Sequence, residues 1–179
     1  MMEKKLGNYA NVKYYCISNG DGIGVSIYLS GCHFHCKGCQ NSSIWNYDAG
    51  NELTYDVIKK IIRHMASNKH VNHLSILGGE PLDKKNLFST YELVRLTKLN
   101  LHDEKKIWLW TGYTIEQLWQ MAKEDDYINY IINNVDYLID GQYQDENRDI
   151  RRKYSGSTNQ RAIDMKKTIK NGEITVLEE

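Results

Sequence analysis

The sequence has little of several features that mark common classes of protein. It contains a single proline among 179 residues, and its formal net charge at pH 7 is zero. So little proline argues against a Pro-rich linker or a low-complexity tract. A chain without net charge has no global field that would hold nucleic acid, so we expect no DNA or RNA partner.

Long apolar runs are also missing. Apolar stretches such as residues 25–29 are only five residues long, whereas a membrane-spanning helix needs about 20. The amino terminus carries charge without a following apolar stretch, so we expect no secretory signal. Together these absences predict a cytoplasmic protein with no membrane partner. The length predicts a single domain over residues 1–179, at roughly 100–200 residues per domain.

Segments typical of strands and of helices alternate along the chain. Short apolar runs predict strands at residues 25–29, 73–77, 107–110 and 137–139, and weaker ones at 162–163 and 174–177. Helical spacing predicts helices from Thr54 to about Ser67, from Asp83 to about Leu99, after Thr114, and near 127–133. The polar stretch 142–160 is predicted to be a long loop with a functional or mobile role.

This alternation is typical of a parallel sheet. A closed eight-unit barrel takes about 250 residues, so the chain has room for about five or six β/α units. We therefore predict an α/β fold with an open, partial (β/α) barrel, and a doubly wound sheet is the alternative. The distinctive residues directly follow predicted strands, at the face where parallel α/β folds place their sites.

The strongest chemical signal is a cysteine cluster. Cys32, Cys36 and Cys39 form a C-x3-C-x2-C pattern within eight residues. In a reducing cytosol such a cluster favours metal or redox chemistry over a disulfide, and thiolates favour iron–sulfur clusters or zinc. A structural zinc site needs four protein ligands, and no second Cys pair follows. His33 or His35 could add a fourth ligand only by crowding the same metal, so a zinc-stabilised interaction module is the remote alternative.

The motifs resemble a known superfamily. The cysteine loop after one predicted strand, followed by Gly78-Gly79-Glu80 after the next, resembles the radical S-adenosylmethionine (SAM) superfamily. More narrowly, residues 30–45, with shorter stretches at 19–23, 110–114 and 155–161, are similar to the activating proteins of anaerobic ribonucleotide reductase. Asp21, Gly24 and Gln40 depart from the pattern of that family, which usually has Pro, Arg and often an aromatic residue there.

The resemblance implies cofactors and a reaction. It implies a [4Fe–4S] cluster on Cys32, Cys36 and Cys39, with one iron left open for SAM. It implies SAM contacts from Gly38, Cys39, Gln40, Gly78, Gly79, Glu80 and Thr111. The implied reaction is reductive cleavage of SAM and formation of a glycyl radical on anaerobic ribonucleoside-triphosphate reductase, with a small redox protein as electron donor. The alternative is an activase of another glycyl-radical enzyme or another small radical SAM enzyme.

Physical chemistry supports the assignment of the Gly-Gly-Glu motif. Glycines let the backbone approach a ligand closely. Glu80 would offer a carboxylate to the ammonium group of a zwitterionic cofactor. The alternative for this motif is a tight turn with a solvated Glu80.

Residues outside these motifs are harder to assign. Arg151, Arg152 and Asn159 in the polar loop are predicted to contact the reductase. The alternative for the basic run is a solvated face, and the alternative for Asn159 is a contact with the cofactor. Cys16 is predicted to be a small buried residue, since free cysteine is often buried. A homodimer is compatible with the sequence, which does not fix the oligomeric state.

Overall fold

A seven-stranded sheet organises the chain, of which the computed structural model describes residues 4–102 and 104–177. The strands are β1 (Lys5–Cys16), β2 (Ile23–Leu29), β3 (Asn51–Thr54), β4 (Val71–Gly78), β5 (Lys106–Trp110), β6 (Tyr137–Asp140) and β7 (Arg161–Asp164). Their order is β3-β1-β2-β4-β5-β6-β7. The four central strands, β2, β4, β5 and β6, run parallel, while β1, β3 and β7 pair antiparallel.

Five α-helices are described: α1 (Tyr55–Ser67), α2 (Leu87–Leu101), α3 (Ile115–Met121), α4 (Asp126–Asn134) and α5 (Met165–Asn171). The predicted cap at Thr114 is confirmed. Its hydroxyl accepts the Gln117 N–H, while the Gln117 side chain accepts the Thr114 N–H, which satisfies two of the first N–H groups of the helix. None of the described helices has the length and apolar character that crossing a membrane requires.

The α/β class and the four central parallel strands are confirmed, but other predictions need correction. Four strands run parallel, fewer than the five or six parallel units expected, because β7 pairs antiparallel with β6. Residues 174–177 form no strand and contribute only a bridge between Ile163 and Val176. The helix predicted from Asp83 begins at Leu87, and residues 81–86 form turns in which the Asp83 side chain accepts the Lys85 N–H at 2.9 Å. β1, β3 and α5 were not predicted.

The two faces of the sheet bury different groups. On β5, Ile107 and Leu109 join the main aliphatic core, whereas Trp108 joins a smaller cluster with Ile139 and Tyr154. Since successive strand residues point to opposite faces, the aliphatic core lies on one face and the aromatic cluster on the other. Tyr154, from the loop that follows β6, packs on this aromatic face, with its ring 4.9 Å from that of Trp108.

Candidate functional site

The cysteine loop and the segments that follow β4 and β5 meet in one cleft of about 150 Å³. The cleft lies at the carboxyl ends of the parallel strands, because the cysteine loop follows β2, Gly78 ends β4 and Thr111 follows β5. Its lining includes seven predicted site residues: Cys32, Cys36, Cys39, Gly78, Gly79, Glu80 and Thr111. Gln40 instead lines an adjoining cavity of about 390 Å³. The two cavities share Cys39 and Trp110, so they form one continuous depression.

The cysteine loop is closed at its base. The Gly31 N–H donates to the Ile44 carbonyl at 2.8 Å, and the Cys32 N–H donates to the Trp45 carbonyl at 3.0 Å. Within the loop, the Cys39 N–H donates to the Cys36 carbonyl at 3.1 Å. These bonds hold the three thiols on one short, folded segment.

Gly78 allows the Gly-Gly-Glu segment to lie close to the cysteine loop. Its φ is +112°, a conformation that favours glycine. A Cβ at Gly78 would overlap the backbone of Leu29, which pairs with it on β2. The next two N–H groups then donate to the Leu29 and Gly31 carbonyls at 2.7 and 2.8 Å. A side chain at this position would therefore push the two segments apart.

Burial favours the protonated form of two of the three thiols in the cleft. Burial raises the pKa of both Cys32 and Cys36, and neighbouring thiol groups add to the effect. Metal binding must therefore displace protons from these residues. Among residues 4–102 and 104–177, no three His, Cys, Asp or Glu side chains converge tightly enough to hold one metal ion. The donor set consists of three thiols at one cleft, which are soft ligands of the kind that iron–sulfur clusters use.

Glu80 is the most buried charged side chain of the cleft, at 1% exposure. The Leu82 N–H and the Thr111 hydroxyl donate to Oε1 at 2.9 and 2.8 Å, and the Gly112 N–H donates to Oε2 at 2.7 Å. Burial raises the pKa of Glu80 to about 7, although these three donors act in the opposite direction. The carboxylate thus ties the loop after β4 to the loop after β5.

A second contact between these loops involves His33, whose role the sequence left open. The His33 Nδ1 donates to Asp83 Oδ2 at 2.6 Å, and the His33 ring lies 5.8 Å from that of Tyr113. The next ring, Phe34, packs against Gly112, where a Cβ would overlap it. These contacts fasten the cysteine loop to the loops after β4 and β5. No sequence motif marks this pairing, because His33 and Asp83 lie fifty positions apart.

Asn41 was also missed as a site residue. Its backbone N–H donates to the Cys39 sulfur at 3.4 Å, and its side-chain amide donates to the Gly78 carbonyl at 3.0 Å. One residue thereby joins the last cysteine to the Gly-Gly-Glu segment. Its position two residues after Cys39 was the signal that could have identified it.

The polar loop predicted to bind the reductase forms one wall of the adjoining cavity. Arg151 is exposed and pairs with Asp149 at 2.8 Å. Arg152 lies on the cavity wall and donates to the Gln160 carbonyl at 2.9 Å. Asn159 donates to the Gln142 carbonyl at 2.8 Å. Arg152 and Asn159 therefore stabilise the polar loop through hydrogen bonds within it, while Arg151 faces solvent.

The predicted burial of Cys16 is confirmed, at 4% exposure. Its thiol lies 3.3 Å from the Ser18 hydroxyl, outside the cysteine loop. Cys16 lines neither cavity, so the described structure gives it no place among the cluster ligands.

Comparisons with known proteins point to the same chemistry. A family model described as a 4Fe–4S single cluster domain matches residues 18–163. The chain is 36% identical over 151 residues to an anaerobic ribonucleoside-triphosphate reductase-activating protein of Vibrio cholerae, covering 83% of this chain and 93% of that protein. It is 34% identical over 154 residues to the protein of that name from Enterobacteria phage T4, covering 86% of this chain and 92% of the phage protein.

Proposed function

Because this chain belongs to the family of anaerobic ribonucleoside-triphosphate reductase-activating proteins, we propose that it is an activating enzyme that generates a glycyl radical on such a reductase. The observation that carries the proposal is the single cleft formed by the three cysteines and the Gly-Gly-Glu segment. Activation of a different glycyl-radical enzyme is the alternative that the partner test below distinguishes.

Cys32, Cys36 and Cys39 would hold a [4Fe–4S] cluster, which supplies an electron for reductive cleavage of SAM when both are bound. Three ligands from one loop leave one iron without a protein ligand. The loop fits this task because hydrogen bonds close its base and its thiols lie at the cleft. The protein contributes placement and exclusion of water, and so no triad of catalytic side chains is required.

SAM would lie across the loops after β4 and β5. Gly78, Gly79, Glu80 and Thr111 line the cleft beside the cysteines, which supports their assignment as SAM contacts. Three donors hold the Glu80 carboxyl group in place at the cleft, where it would accept a hydrogen bond from a cationic cofactor group. Gly38 and Gln40, which do not line this cleft, would act from its rim.

The partner is proposed to enter from the adjoining cavity. Hydrogen transfer requires the reacting atoms to approach within about 3–3.5 Å, so a peptide segment of the reductase must reach the cleft. Arg151, Arg152 and Asn159 lie on the loop that borders this opening and would meet the partner there. A small redox protein would supply electrons. We further propose that the chain forms a single cytoplasmic domain whose sheet curves as a partial barrel. A homodimer is compatible with this proposal.

Anaerobic reconstitution tests the proposal. The protein is loaded with iron and sulfide, reduced, and mixed with SAM, and electron paramagnetic resonance and chromatography are then recorded. We expect a [4Fe–4S]⁺ signal that SAM perturbs, formation of 5′-deoxyadenosine, and a glycyl radical when the reductase is added. A radical absent from this reductase but present on another glycyl-radical enzyme would select the alternative.

Two cysteine variants serve as matched controls for the cluster. Cys36→Ala removes a proposed ligand, so the variant is expected to lose the [4Fe–4S]⁺ signal and SAM cleavage. Cys16→Ala removes a thiol that lies outside the cleft, so the signal should remain. A colourless wild-type protein that holds one zinc ion and does not cleave SAM would contradict the proposed function.

A further inference from the structure

A short hairpin in the polar loop, residues 148–157, forms one wall of the adjoining cavity. Arg148 pairs with Ser157 in an antiparallel bridge, and the Asp149 N–H donates to the Gly156 carbonyl at 3.1 Å. These contacts hold the backbone of the wall in place before a partner arrives. A wall that is already ordered loses less conformational entropy when it binds a partner.

Most cationic side chains of this hairpin are engaged within the protein. Arg151 pairs with Asp149 at 2.8 Å, and Arg152 donates to a backbone carbonyl of the same loop at 2.9 Å. Lys153 pairs with Asp21 at 2.7 Å. An anionic group of a partner would have to compete with these contacts.

Two side chains of the wall lack such internal contacts. Arg148 is exposed and lines the cavity, and its side chain makes no hydrogen bond or ion pair with the residues that the structure describes. Ile150 also lines the cavity and is 84% exposed, more than any other large apolar side chain in the described part of the chain. A single exposed isoleucine is common on protein surfaces, but this one lies on the same cavity wall as an unpaired cation.

The cavity favours a peptide segment that carries negative charge. Among the described residues that line it, three are cationic and one is anionic: Arg148, Arg152, Lys153 and Asp149. The cavity continues into the cleft, because Cys39 and Trp110 line both. A segment bound along this wall would therefore lie beside the cleft that the reacting segment of the reductase must reach.

We propose that Arg148 and Ile150, here called the docking pair, bind a segment of the reductase that presents an acidic side chain next to an apolar one. Arg148 would pair with the carboxylate, and Ile150 would bury its side chain against the apolar neighbour. The inference rests on the proposed function, since it takes the reductase as the partner. The docking pair gives up no internal hydrogen bond or ion pair on binding, so we expect it to contribute more affinity than the engaged cations around it.

Alanine variants test the docking pair through the affinity of the complex. The reconstituted protein is mixed anaerobically with the reductase of the same organism, with SAM but without a reductant, and the Kd is measured by analytical ultracentrifugation. We expect Arg148→Ala and Ile150→Ala each to raise the Kd about tenfold. Because salt screens ion pairs, the effect of Arg148→Ala should shrink at high ionic strength, whereas that of Ile150→Ala should persist.

Two variants on the other face of the sheet serve as matched controls. Arg63 on α1 and Leu99 on α2 are exposed, and their helices pack on the aliphatic core, whereas the cavity is lined by Tyr154 of the aromatic cluster. Arg63→Ala and Leu99→Ala should leave the Kd unchanged. The [4Fe–4S]⁺ signal of each variant after reduction shows that it is folded and loaded.

The outcomes separate the inference from the proposed function. A Kd that stays at the wild-type value in both docking-pair variants, or that rises equally in the two controls, would overturn the docking pair alone. Variants that change self-association of this chain but not the Kd for the reductase would also overturn it, and would assign the pair to a homodimer. A wild-type protein that takes up no cluster, or that does not bind the reductase, would contradict the proposed function itself.

Discussion

The side chain of Glu80 shows how one residue can serve both the fold and the cleft. The Gly-Gly-Glu motif led us to expect either a cofactor contact or a solvated turn, and the structure excludes the solvated turn, because the carboxylate is buried. Its three donors come from the loops after β4 and β5. Changes to these donors should therefore alter stability even when no cofactor is bound.

Thr111 provides the first test at this scale. Its hydroxyl donates to Glu80 Oε1 at 2.8 Å and accepts the Tyr113 N–H at 3.2 Å. Thr111→Val keeps the shape and leaves both partners without this hydroxyl, so the free energy of unfolding should fall by about 1–3 kcal/mol. Urea denaturation of the cluster-free, reduced protein measures the change.

Thr97 is the matched control, because it is also a buried threonine. Its hydroxyl has no hydrogen-bond partner among the residues that the structure describes. Replacing an unsatisfied buried hydroxyl by a methyl group removes a desolvation cost. Thr97→Val should therefore leave stability unchanged or raise it slightly. Equal losses in the two variants would show that the hydroxyl of Thr111 contributes nothing specific.

Among the secondary-structure elements, Asp136 joins a strand to its neighbours. It lies just before β6, and its exposed fraction is 2%. Its Oδ2 accepts the Ile107 N–H at 2.9 Å and pairs with Lys98 at 3.0 Å, while Oδ1 lies 3.4 Å from Lys106 and 3.3 Å from Lys166. One carboxylate thus connects α2, β5, β6 and α5 at the end of the sheet opposite the cleft.

Lowering the pH should weaken the ion pairs and the hydrogen bond of the Asp136 carboxylate. Burial opposes ionisation of Asp136, but the Ile107 N–H and the ammonium groups of Lys98 and Lys106 outweigh it, so the pKa lies below the usual 3.8. A lowered pKa contributes stability above the unfolded value, and this contribution is lost as the pH falls through the folded value. Asp136→Asn should lower the free energy of unfolding by about 1.5–3 kcal/mol at neutral pH, and by less as the pH drops below about 4.

Denaturation curves from pH 3 to pH 7 measure this difference. Glu124→Gln makes the same chemical change at an exposed position, so its stability should follow that of wild type throughout. If the difference in unfolding free energy between wild type and Asp136→Asn stays constant with pH, the stabilisation by Asp136 does not come from its charge.

The elements that were predicted and those that were missed differ in physical character. The central parallel strands are buried on both faces, so they appear as continuous apolar runs that are easy to find. β1 is half exposed, and register shifts after Tyr9 and Lys13 break its alternation, so no regular pattern marks it. β3 has only four residues, and its pairing with β1 depends on tertiary contact.

The same distinction applies to the site across the whole molecule. The cysteines and the Gly-Gly-Glu segment were predicted because each is a contiguous motif. The His33–Asp83 pair was not, because its contact joins residues 50 positions apart. Only the folded sheet, which brings the strand ends together, defines such contacts.

One long-range contact joins the walls of the adjoining cavity. The Tyr154 hydroxyl donates to both oxygens of Asp21 at 2.9 Å, and Lys153 pairs with Asp21 at 2.7 Å. The Trp110 ring N–H donates to the Tyr154 carbonyl at 2.8 Å. Asp21 precedes β2 and Tyr154 follows β6, so this contact crosses the two strands between them. It closes the loop over the aromatic face, where Tyr154 packs 4.9 Å from Trp108.

Loss of the phenol should loosen this loop without unfolding the sheet. Tyr154→Phe keeps the ring against Trp108 but removes the hydrogen bonds to Asp21, at a cost of about 1–1.5 kcal/mol for local opening. Because cleavage follows the population of the open form, trypsin should cut at Arg151 or Lys153 about tenfold faster than in wild type. Tyr127→Phe, at an exposed tyrosine on α4, should leave the rate unchanged. Equal cleavage rates in wild type and Tyr154→Phe would mean that the Tyr154 hydroxyl does not hold the loop closed.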